Sequence, residues 1–366
     1  MHPPRISIKD IAHAAGVSHS TVSRALAGSS LISAETRERI QALAEQMGYI
    51  PDAVAQSLQT RSTRTVGLVV TSIADPFFAA IVEGAEETAI AAGMSVFINV
   101  SHNDPEAELA LIETLHRRRV DGIILAASRL GMRHTQALAR VQVPVVMVNR
   151  QPDEHDPADF HSIAVDDRGG ARLAVEYLLS LGHRRIGYLG MGNRFESNRS
   201  RLEGYRAALA GAGIQPPDAW IQTCPAEDAS GRGDVAAAET VFPALLAAGV
   251  TAVFCYNDQA AVGGLLACRK LRVGVPEGCS LAGFDDIDLA RYVEPPLTTV
   301  HQPRREMGRQ AMQMVLDLLA GKRVENRVLS PTLVIRSSAG KPGEANCPLP
   351  LLSAEEKTFR FMEMTE

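Results

Sequence analysis

Residues 8–26 read IKDIAHAAGVSHSTVSRAL, and this stretch decides how the first part of the chain folds. Apolar residues recur at helical spacing up to Gly16, which predicts a short helix that ends at that glycine. Ser7 precedes the stretch and Asp10 follows three residues later, in the pattern of a capping box. Ser18 is a good N-cap for a second helix, so the stretch predicts two helices joined by a tight turn.

A third helix over residues 34–47 is predicted by Ser33 as its cap and Gly48 as its stop. In a helix-turn-helix unit the start of the second helix enters the major groove of DNA. Arginine, histidine and serine can bond to base edges, and hydroxyls also suit phosphate oxygens. The predicted DNA contacts are Ser7, Ser18, His19, Ser20, Thr21, Ser23 and Arg24. The alternative is a small helical domain with ordinary exposed polar residues.

The net charge of the 366-residue chain is −5, which by itself speaks against a nucleic-acid partner. Residues 1–64 hold seven Lys and Arg against five Asp and Glu, a balance of +2, and the remaining residues carry −7. A mildly cationic unit therefore precedes an acidic one. Five cysteines without C-x-x-C spacing exclude a dense disulfide framework and a thiolate zinc cluster. Without an apolar leader or an apolar run of membrane-spanning length, we expect a cytoplasmic protein.

Residues 50–65 form a separate short segment. Pro51 and Asp52 suit the start of a helix, and the end of the segment is polar and basic. About eight residues are too few for a stable helix in water, so we expect a helix that forms only when it is docked. Such an element is a candidate switch.

From Val66 onward, apolar strands alternate with amphipathic helices, which predicts an α/β fold with parallel sheets. Strands are expected at 66–71, 95–100, 122–127, 145–149, 162–165, 185–190, 252–256 and 279–284. The length suits two such lobes, and a cleft past the carboxyl ends of the strands is the expected ligand site. Dinucleotide, Walker-A, nucleophile-elbow and metal-ligand spacings are missing from the sequence. We therefore predict no catalytic residue, no metal and no cofactor.

The stretches 8–26, 33–37 and 48–51 resemble the DNA-binding headpiece of the lactose-repressor family of transcriptional regulators, and the resemblance covers residues 6–338. It implies an N-terminal all-α helix-turn-helix headpiece and a two-lobed α/β core like that of periplasmic binding proteins. It also implies a homodimer that reads a pseudo-palindromic operator in double-stranded DNA. A small effector, either a sugar or a sugar acid or phosphate, would control operator affinity from between the lobes.

The resemblance also assigns segment 50–65 to a hinge helix that lies in the minor groove and wedges an apolar side chain between base steps. The matching residues are Leu58 for the wedge and Ala55 beside the DNA backbone. Asp52 and Ala27 depart from the family, in which Asn is usual at both positions, and a carboxylate near phosphates weakens hinge affinity. The alternative for Leu58 is a linker residue that packs on the next domain.

For the cleft, the resemblance implies effector contacts at Phe77, Phe78, Asn149, Arg150, Ser197, Arg201, Asn257 and Asp285. A carboxylate accepts hydroxyl protons, a guanidinium donates from a planar fork, and aromatic faces cover the C–H side of a sugar. The chain has Asp228 near the position where family members often place an aromatic residue, so either the pocket is more polar or the loop aligns differently. The plain alternatives are helix caps at Asp285 and Asn257, a surface charge at Arg201, and core packing of the phenylalanines.

The predicted domains are a headpiece (1–49), a hinge and linker (50–65), a first lobe (66–164 plus 297–322), a second lobe (165–296 plus 323–338) and a flexible tail (339–366). No leucine heptad is sustained in the tail, so we predict a dimer. Two rival functions are a solute-binding protein of a sugar transporter and an α/β enzyme such as a sugar hydrolase or kinase. The headpiece argues against the first, and the second has no motif in its support. Repression is the simplest mode of regulation, but the sequence leaves activation open.

Overall fold

The computed structural model describes residues 6–49, 62–126, 141–151, 161–192, 194–225 and 233–343. The chain divides into two compact units, Met1–Thr63 and Arg64–Glu366. No helix among the described residues is both long and apolar enough to cross a membrane.

The first unit holds the three predicted helices: α1 (Ile8–Ala15), α2 (His19–Leu26) and α3 (Ala34–Gln46). Gly16 ends α1 with a φ of 66°, a left-handed conformation that glycine adopts without steric cost. The Ser18 and Ser33 hydroxyls accept hydrogen bonds from the first turns of α2 and α3, so both predicted caps are confirmed. The helices enclose a small apolar core: Ile11, Ala12, Val22, Ala25, Ile40 and Ala44.

The second unit is an α/β structure. Its strands are β1 (Thr65–Val70), β2 (Ser95–Val100), β3 (Gly122–Ala126), β4 (Val145–Val148), β5 (His161–Val165), β6 (Ile186–Met191), β7 (Ile221–Cys224), β8 (Ala252–Cys255), β9 (Ser280–Asp285), β10 (Thr298–His301), β11 (Arg327–Leu329) and β12 (Thr332–Val334). Its helices are α4 (Pro76–Ala91), α5 (Pro105–Arg117), α6 (Asp167–Ser180), α7 (Phe195–Gly211), α8 (Gly233–Ala247), α9 (Asp258–Lys270), α10 (Leu289–Tyr292) and α11 (Arg304–Leu319). The predicted alternation of strands and helices is confirmed.

The strands form two six-stranded sheets, each of which is the centre of one lobe. The first sheet has the order β11-β5-β4-β3-β1-β2 and the second β12-β10-β9-β8-β6-β7. The described pairings are parallel, except for the antiparallel pair of β10 with β12. Strands such as β1 and β9 are buried along their whole length, as expected for sheets that helices cover on both faces.

The chain passes between the two sheets three times, and these passages correct the predicted lobe boundaries. Residues 298–301 pair with β9, so they belong to the second sheet and not to the first lobe. The passage into the first lobe comes only after them, at α11. Residues 327–329 pair with β5 in the first sheet, although the prediction assigned them to the second lobe.

The packed part of the chain also extends beyond the predicted start of the tail at residue 339. His183 is buried and its Nε2 lies 2.9 Å from the carbonyl oxygen of Gly340, while its Nδ1 lies 2.8 Å from Thr251 Oγ1. Ser338 is also buried, and its carbonyl oxygen accepts a hydrogen bond from Leu281 N. Residues 338–340 are therefore attached to the second lobe at the amino end of β9.

Two glycines allow α4 and α11 to pack closely on the first sheet. A Cβ atom at Gly84 would lie 1.9 Å from the carbonyl oxygen of Arg305, and one at Gly308 would lie 2.0 Å from that of Ile81. Backbone atoms cannot move aside as flexible side chains do. The two helices therefore need glycine at both contacts to keep this separation.

Because of this contact, we expect Gly84→Ala and Gly308→Ala to lower the free energy of unfolding of the core by at least about 2 kcal/mol each. Gly211→Ala is the matched control, because no atom lies within 4 Å of a Cβ at the end of α7. It should be neutral or stabilising by up to about 1 kcal/mol. Urea unfolding of the three variants measures the difference, and equal stability of all three would contradict the proposed close packing.

Candidate functional site

The first candidate surface is the start of α2. His19, Ser20 and Arg24 are exposed, whereas Thr21 and Ser23 are half-buried. The Ser18 hydroxyl lies 2.8 Å from both Ser20 Oγ and Thr21 Oγ1, in addition to its role as the cap of α2. The side chains of His19, Ser20 and Arg24 are thus accessible from solvent, and Ser18 has a structural role.

Ser7 is another predicted DNA contact that has a structural role. Its backbone N–H and its hydroxyl both donate to Asp10 Oδ2, at 2.8 and 2.7 Å. These bonds are the main cause of the lowered pKa of Asp10. The predicted hinge contacts Ala55 and Leu58 lie outside the described residues.

The second candidate site lies at the carboxyl ends of the strands, where the predicted effector residues fall. Phe77 and Phe78 begin α4, after β1; Asn149 and Arg150 follow β4; Ser197 and Arg201 lie on α7, after β6; Asn257 follows β8; and Asp285 ends β9. The topology therefore brings residues from both lobes to facing sheet edges. Asp228 lies outside the described residues.

Arg201 is the centre of the polar contacts in the second lobe. Its side chain is only 1% exposed, which excludes the alternative of a surface charge. Its Nε donates to Asp167 Oδ1 at 2.8 Å, and its Nη1 donates to the carbonyl oxygen of Tyr256 at 2.6 Å. The guanidinium carbon also lies 3.7 Å from the ring centroid of Phe284. Burial works against the charged form, but the neighbouring Asp167 carboxylate raises the pKa of Arg201 above its ordinary value.

Asp285 lies beside this arginine, with 3.8 Å between its Oδ1 and Arg201 Nη1. The same oxygen accepts a hydrogen bond from Gln302 Nε2 at 2.6 Å. Burial raises the pKa of Asp285 to about 7, and the Arg201 guanidinium opposes the rise. The carboxyl group can therefore change charge near neutral pH.

Asn257 and Ser197 are already engaged in contacts within the second lobe. Asn257 Oδ1 accepts the backbone N–H of Ala260 and so caps α9, which was the structural alternative for this residue. Its Nδ2 donates to Asp234 Oδ2 at 3.0 Å. Ser197 Oγ lies 2.7 Å from the hydroxyl of Tyr256. A ligand at these residues would have to share these hydrogen bonds or replace them.

The two phenylalanines belong to the apolar core of the first lobe. Phe77 is 5% and Phe78 is 2% exposed, and their rings meet edge to face with centroids 5.2 Å apart. Phe77 and Phe78 pack with Ile81 and the strand residues of the first sheet. Most of the surface of both rings is therefore buried in the core. This is the alternative to stacking on a sugar.

A connection between the lobes was not predicted from the sequence. Asp75, the N-cap of α4 in the first lobe, accepts hydrogen bonds from two side chains of the second lobe. Arg194 Nη2 lies 3.0 Å from its Oδ2, and Gln259 Nε2 lies 3.2 Å from its Oδ1. Asp75 before Pro76 is a recognisable helix cap, but nothing in the sequence indicates its partners across the cleft.

Five buried polar atoms that follow the carboxyl ends of strands have no hydrogen-bond partner among the described residues. They are Thr71 Oγ1, Asn149 Oδ1, Arg194 Nε, Gln302 Oε1 and Arg304 Nε. Buried polar atoms in native proteins are nearly always paired, so each needs a partner that the described chain does not supply. Two amide oxygens that accept, two guanidinium N–H groups that donate and one hydroxyl that can do either are what a ligand with several hydroxyl groups would satisfy. Among the described residues, no group of His, Cys, Asp and Glu could hold a metal ion.

Comparison with known families finds a match for each of the two units. Residues 7–52 match the model for bacterial regulatory proteins of the lacI family, and residues 175–339 match a periplasmic binding protein-like domain. The chain is 37% identical to the HTH-type transcriptional regulator GalS of Salmonella typhimurium over 339 residues, which cover 91% of this chain and 96% of the relative. It is 35% identical to the HTH-type transcriptional repressor CytR of Escherichia coli over 338 residues, with the same coverage.

A solved structure with the same architecture is the lac repressor dimer bound to operator and the anti-inducer ONPF. The TM-score is 0.82 at 29% identity, over 92% of this chain and 100% of that one. A helix-turn-helix unit joined to a two-lobed α/β core defines a ligand-responsive DNA-binding regulator. The chain belongs to the lacI family, and it is a transcriptional regulator of that family.

The position of Asp285 predicts a pH dependence of stability. Its carboxyl titrates near 3.8 when unfolded and at about 7 when folded, so between these values the folded chain holds the extra proton. Its contribution to the free energy of unfolding therefore falls as the pH rises from about 4 to about 7, by at most about 1.4 kcal/mol per pH unit.

Asp285→Asn cannot titrate at this position. In urea unfolding at several pH values, the stability of the natural chain relative to this variant should therefore fall as the pH rises through that window. Parallel stability profiles of the two proteins would contradict the buried, titrating carboxyl.

Proposed function

We propose that the chain is an effector-controlled repressor, which reads a pseudo-palindromic operator as a homodimer and binds a neutral sugar or sugar derivative between its lobes. The observation that carries the effector half of this proposal is the set of buried polar atoms without hydrogen-bond partners that follow the carboxyl ends of strands in both lobes. Residues 6–49 form the DNA-reading headpiece, residues 50–64 the hinge, and the two lobes the effector sensor. A regulator that binds operator DNA acts in the cytoplasm.

The DNA contacts proposed for the headpiece are those of α2, with His19, Ser20 and Arg24 at base edges and Ser7, Ser18, Thr21 and Ser23 near phosphates. Exposure of the first three and the structural bonds of the others support this division. Leu58 and Ala55 are proposed to act in the minor groove, on the strength of the family resemblance.

Charge supports a neutral effector rather than a sugar acid or phosphate. Arg201 is paired with Asp167 and lies close to Asp285, and Arg194 is paired with Asp75. These two cations therefore have carboxylate partners before any ligand binds. Hydroxyl groups can share such ion pairs, whereas an added anion would face the carboxylates as well. Solved structures similar to this chain include a regulator named as a CelR-cellobiose complex and a LacI family regulator with bound ribose.

Exposed apolar side chains support a dimer through the core. Phe97 and Ile98 are each 48% exposed on β2, the edge strand of the first sheet, and Tyr292 is 80% exposed on α10 of the second lobe. An exposed edge strand with large apolar side chains is a surface that a second copy can cover. Two headpieces brought together in this way match two operator half-sites.

We propose no enzymatic activity. The family members with similar sequences are transcriptional regulators. A catalysed reaction of a bound sugar, lost in the Asp285→Ala variant, would overturn this part of the proposal.

For the DNA-binding function, we expect the full chain to select from a randomised duplex library a palindrome of roughly 14–20 base pairs, with half-sites about one helical turn apart. Leu58→Ala should weaken binding to the selected duplex by about tenfold or more, because the minor-groove wedge is lost. Leu173→Ala, which truncates a leucine on α6 of the core, is the control and should leave DNA affinity unchanged. Selection without any sequence preference would refute the assigned function.

For the effector, we expect a neutral sugar to raise the melting temperature in a panel that also holds sugar acids, sugar phosphates and nucleobases. Above the pKa of about 7, where the Asp285 carboxyl is charged, Asp285→Asn should weaken binding of that sugar by about 10- to 150-fold in calorimetry, because a hydrogen bond to a charged group contributes about 1.5–3 kcal/mol. Asp218→Asn, on an exposed turn, is the control. A sugar acid or phosphate as the tightest ligand would contradict the proposed neutral effector.

A further inference from the structure

One end of the core, opposite to the cleft, carries a group of basic residues that the effector site does not use. In the first sheet the described strand pairs are parallel, so their amino ends share one edge. The helices that lead into these strands end at the same edge. Hydrogen bonds from Ser95 N to Arg64 O and from Asp121 N to Thr65 O, each 2.8 Å long, join the start of β1 to the starts of β2 and β3.

We define the basic edge as the cationic residues at this end: Arg64, Arg117, Arg118, Arg119, Lys322 and Arg323. All six are exposed. The described acids at the same end are Glu113, Asp121, Asp317 and Glu325, of which Asp317 already binds Lys322 at 2.8 Å. Among the described residues of this end, cations therefore outnumber acids, although residues 65–366 as a whole carry a charge of −7. Residues 152–160, which precede β5 and hold four further acids, lie outside the described residues.

The chain from the headpiece enters the core at this edge, since Arg64 directly precedes β1. Residues 50–61 are twelve residues long, and twelve residues span at most about 40 Å when fully extended. The tether to the DNA-reading unit therefore begins at the basic edge. The cleft lies at the other ends of the strands of the first sheet.

We propose that the basic edge makes a second contact with DNA, to phosphates near the site that the headpiece reads. The proposed contact does not depend on the DNA sequence, because the arginine and lysine side chains of the basic edge would bind only DNA phosphates. Arg117 and Arg118 are the main residues that we assign to this phosphate contact. Arg117 Nη2 donates to Thr114 Oγ1 at 3.2 Å, which leaves the rest of its guanidinium fork to bind phosphate oxygens.

A structural role competes with this proposal. Basic residues are common in the last turn of a helix, where they favour the negative end of the helix dipole. The second lobe offers a matched case, because α9 ends with Arg269 and Lys270, and Arg272 follows. Arg119 and Arg272 even share a left-handed φ of 57°. The end of α9 lies at the amino edge of the second sheet, which is at the opposite end of the core.

The test compares two double variants of the full chain: Arg117→Gln with Arg118→Gln, and Arg269→Gln with Arg272→Gln. Both remove two positive charges at a helix end. The probes are a 40-base-pair duplex of random sequence and the duplex that the natural chain selects from a library. Affinity is measured by fluorescence anisotropy at several KCl concentrations, and thermal melting shows whether each variant is folded.

Each lost phosphate contact lowers the slope of log affinity against log salt by about 0.9. For two residues in each subunit of a dimer, we expect the first variant to lose between about 1 and 4 units of slope on both probes. Its affinity in about 0.1 M salt should fall by about tenfold. The second variant should keep the natural slope within about 0.5 units.

An unchanged slope in the first variant would overturn the proposal, and so would equal losses in both variants, which would indicate a general effect of charge. A loss of affinity without a change in slope would also overturn the proposal. The number of phosphate contacts would then be unchanged, and the loss would come from altered binding by the headpiece. Should the double variant fail to fold, Arg118→Gln alone gives the same comparison with about half the change in slope. In each of these outcomes the headpiece can still read its operator, so the proposed function is tested separately.

Discussion

The structure of the sensor depends on one buried guanidinium. Arg201 is almost inaccessible to solvent, and a buried charge without partners costs several kcal/mol. Its partners come from three places in the chain: Asp167 at the start of α6, the carbonyl of Tyr256 after β8, and Asp285 at the end of β9. The need to pair this one charge therefore draws together the carboxyl ends of separate strands. The proposed effector site keeps its shape for the same reason.

The neighbouring backbone stores strain at the same place. Asp285 and Asp286 have φ values of 110° and 54°, where residues other than glycine cost about 1–3 kcal/mol each. Asp258 Oδ2 accepts the backbone N–H of Ile287 at 2.8 Å, and Arg336 Nη2 lies 2.5 Å from Asp286 Oδ1. These bonds hold the turn in a conformation that it would not adopt alone. A turn held in this way is suited to respond to a ligand at Asp285.

The sequence could predict what depends on near neighbours. Ser18 and Ser33 cap their helices because a cap needs only its own first turn, and continuous apolar runs become buried parallel strands. Strand partners depend on distant pairing, so the sheet of residues 298–301 and 327–329 was assigned wrongly. Pro243 lies inside helix α8, where the local sequence alone would predict a break in the helix.

The candidate site was predicted in the same uneven way. Arg201, Asp285 and Ser197 were found through family resemblance, and the structure places them in one polar network. The bridge from Asp75 to Arg194 was missed, because two residues 119 positions apart carry no local signal of their contact. Phe77 and Phe78 are aromatic residues of the kind that stack on sugars, but at the start of α4 their rings lie in the core of the first lobe.

The three passages between the lobes have a consequence for synthesis on the ribosome. Four elements are synthesised only in about the last fifth of the core. Of these, α11 and β11 belong to the first lobe, and β10 and β12 belong to the second sheet. Met307 and Met312 of α11 fill the core beside the first sheet, so that apolar face stays uncovered while the second lobe is translated. Neither lobe can finish folding before the other is nearly complete. The nascent chain must therefore be protected from aggregation over most of its length.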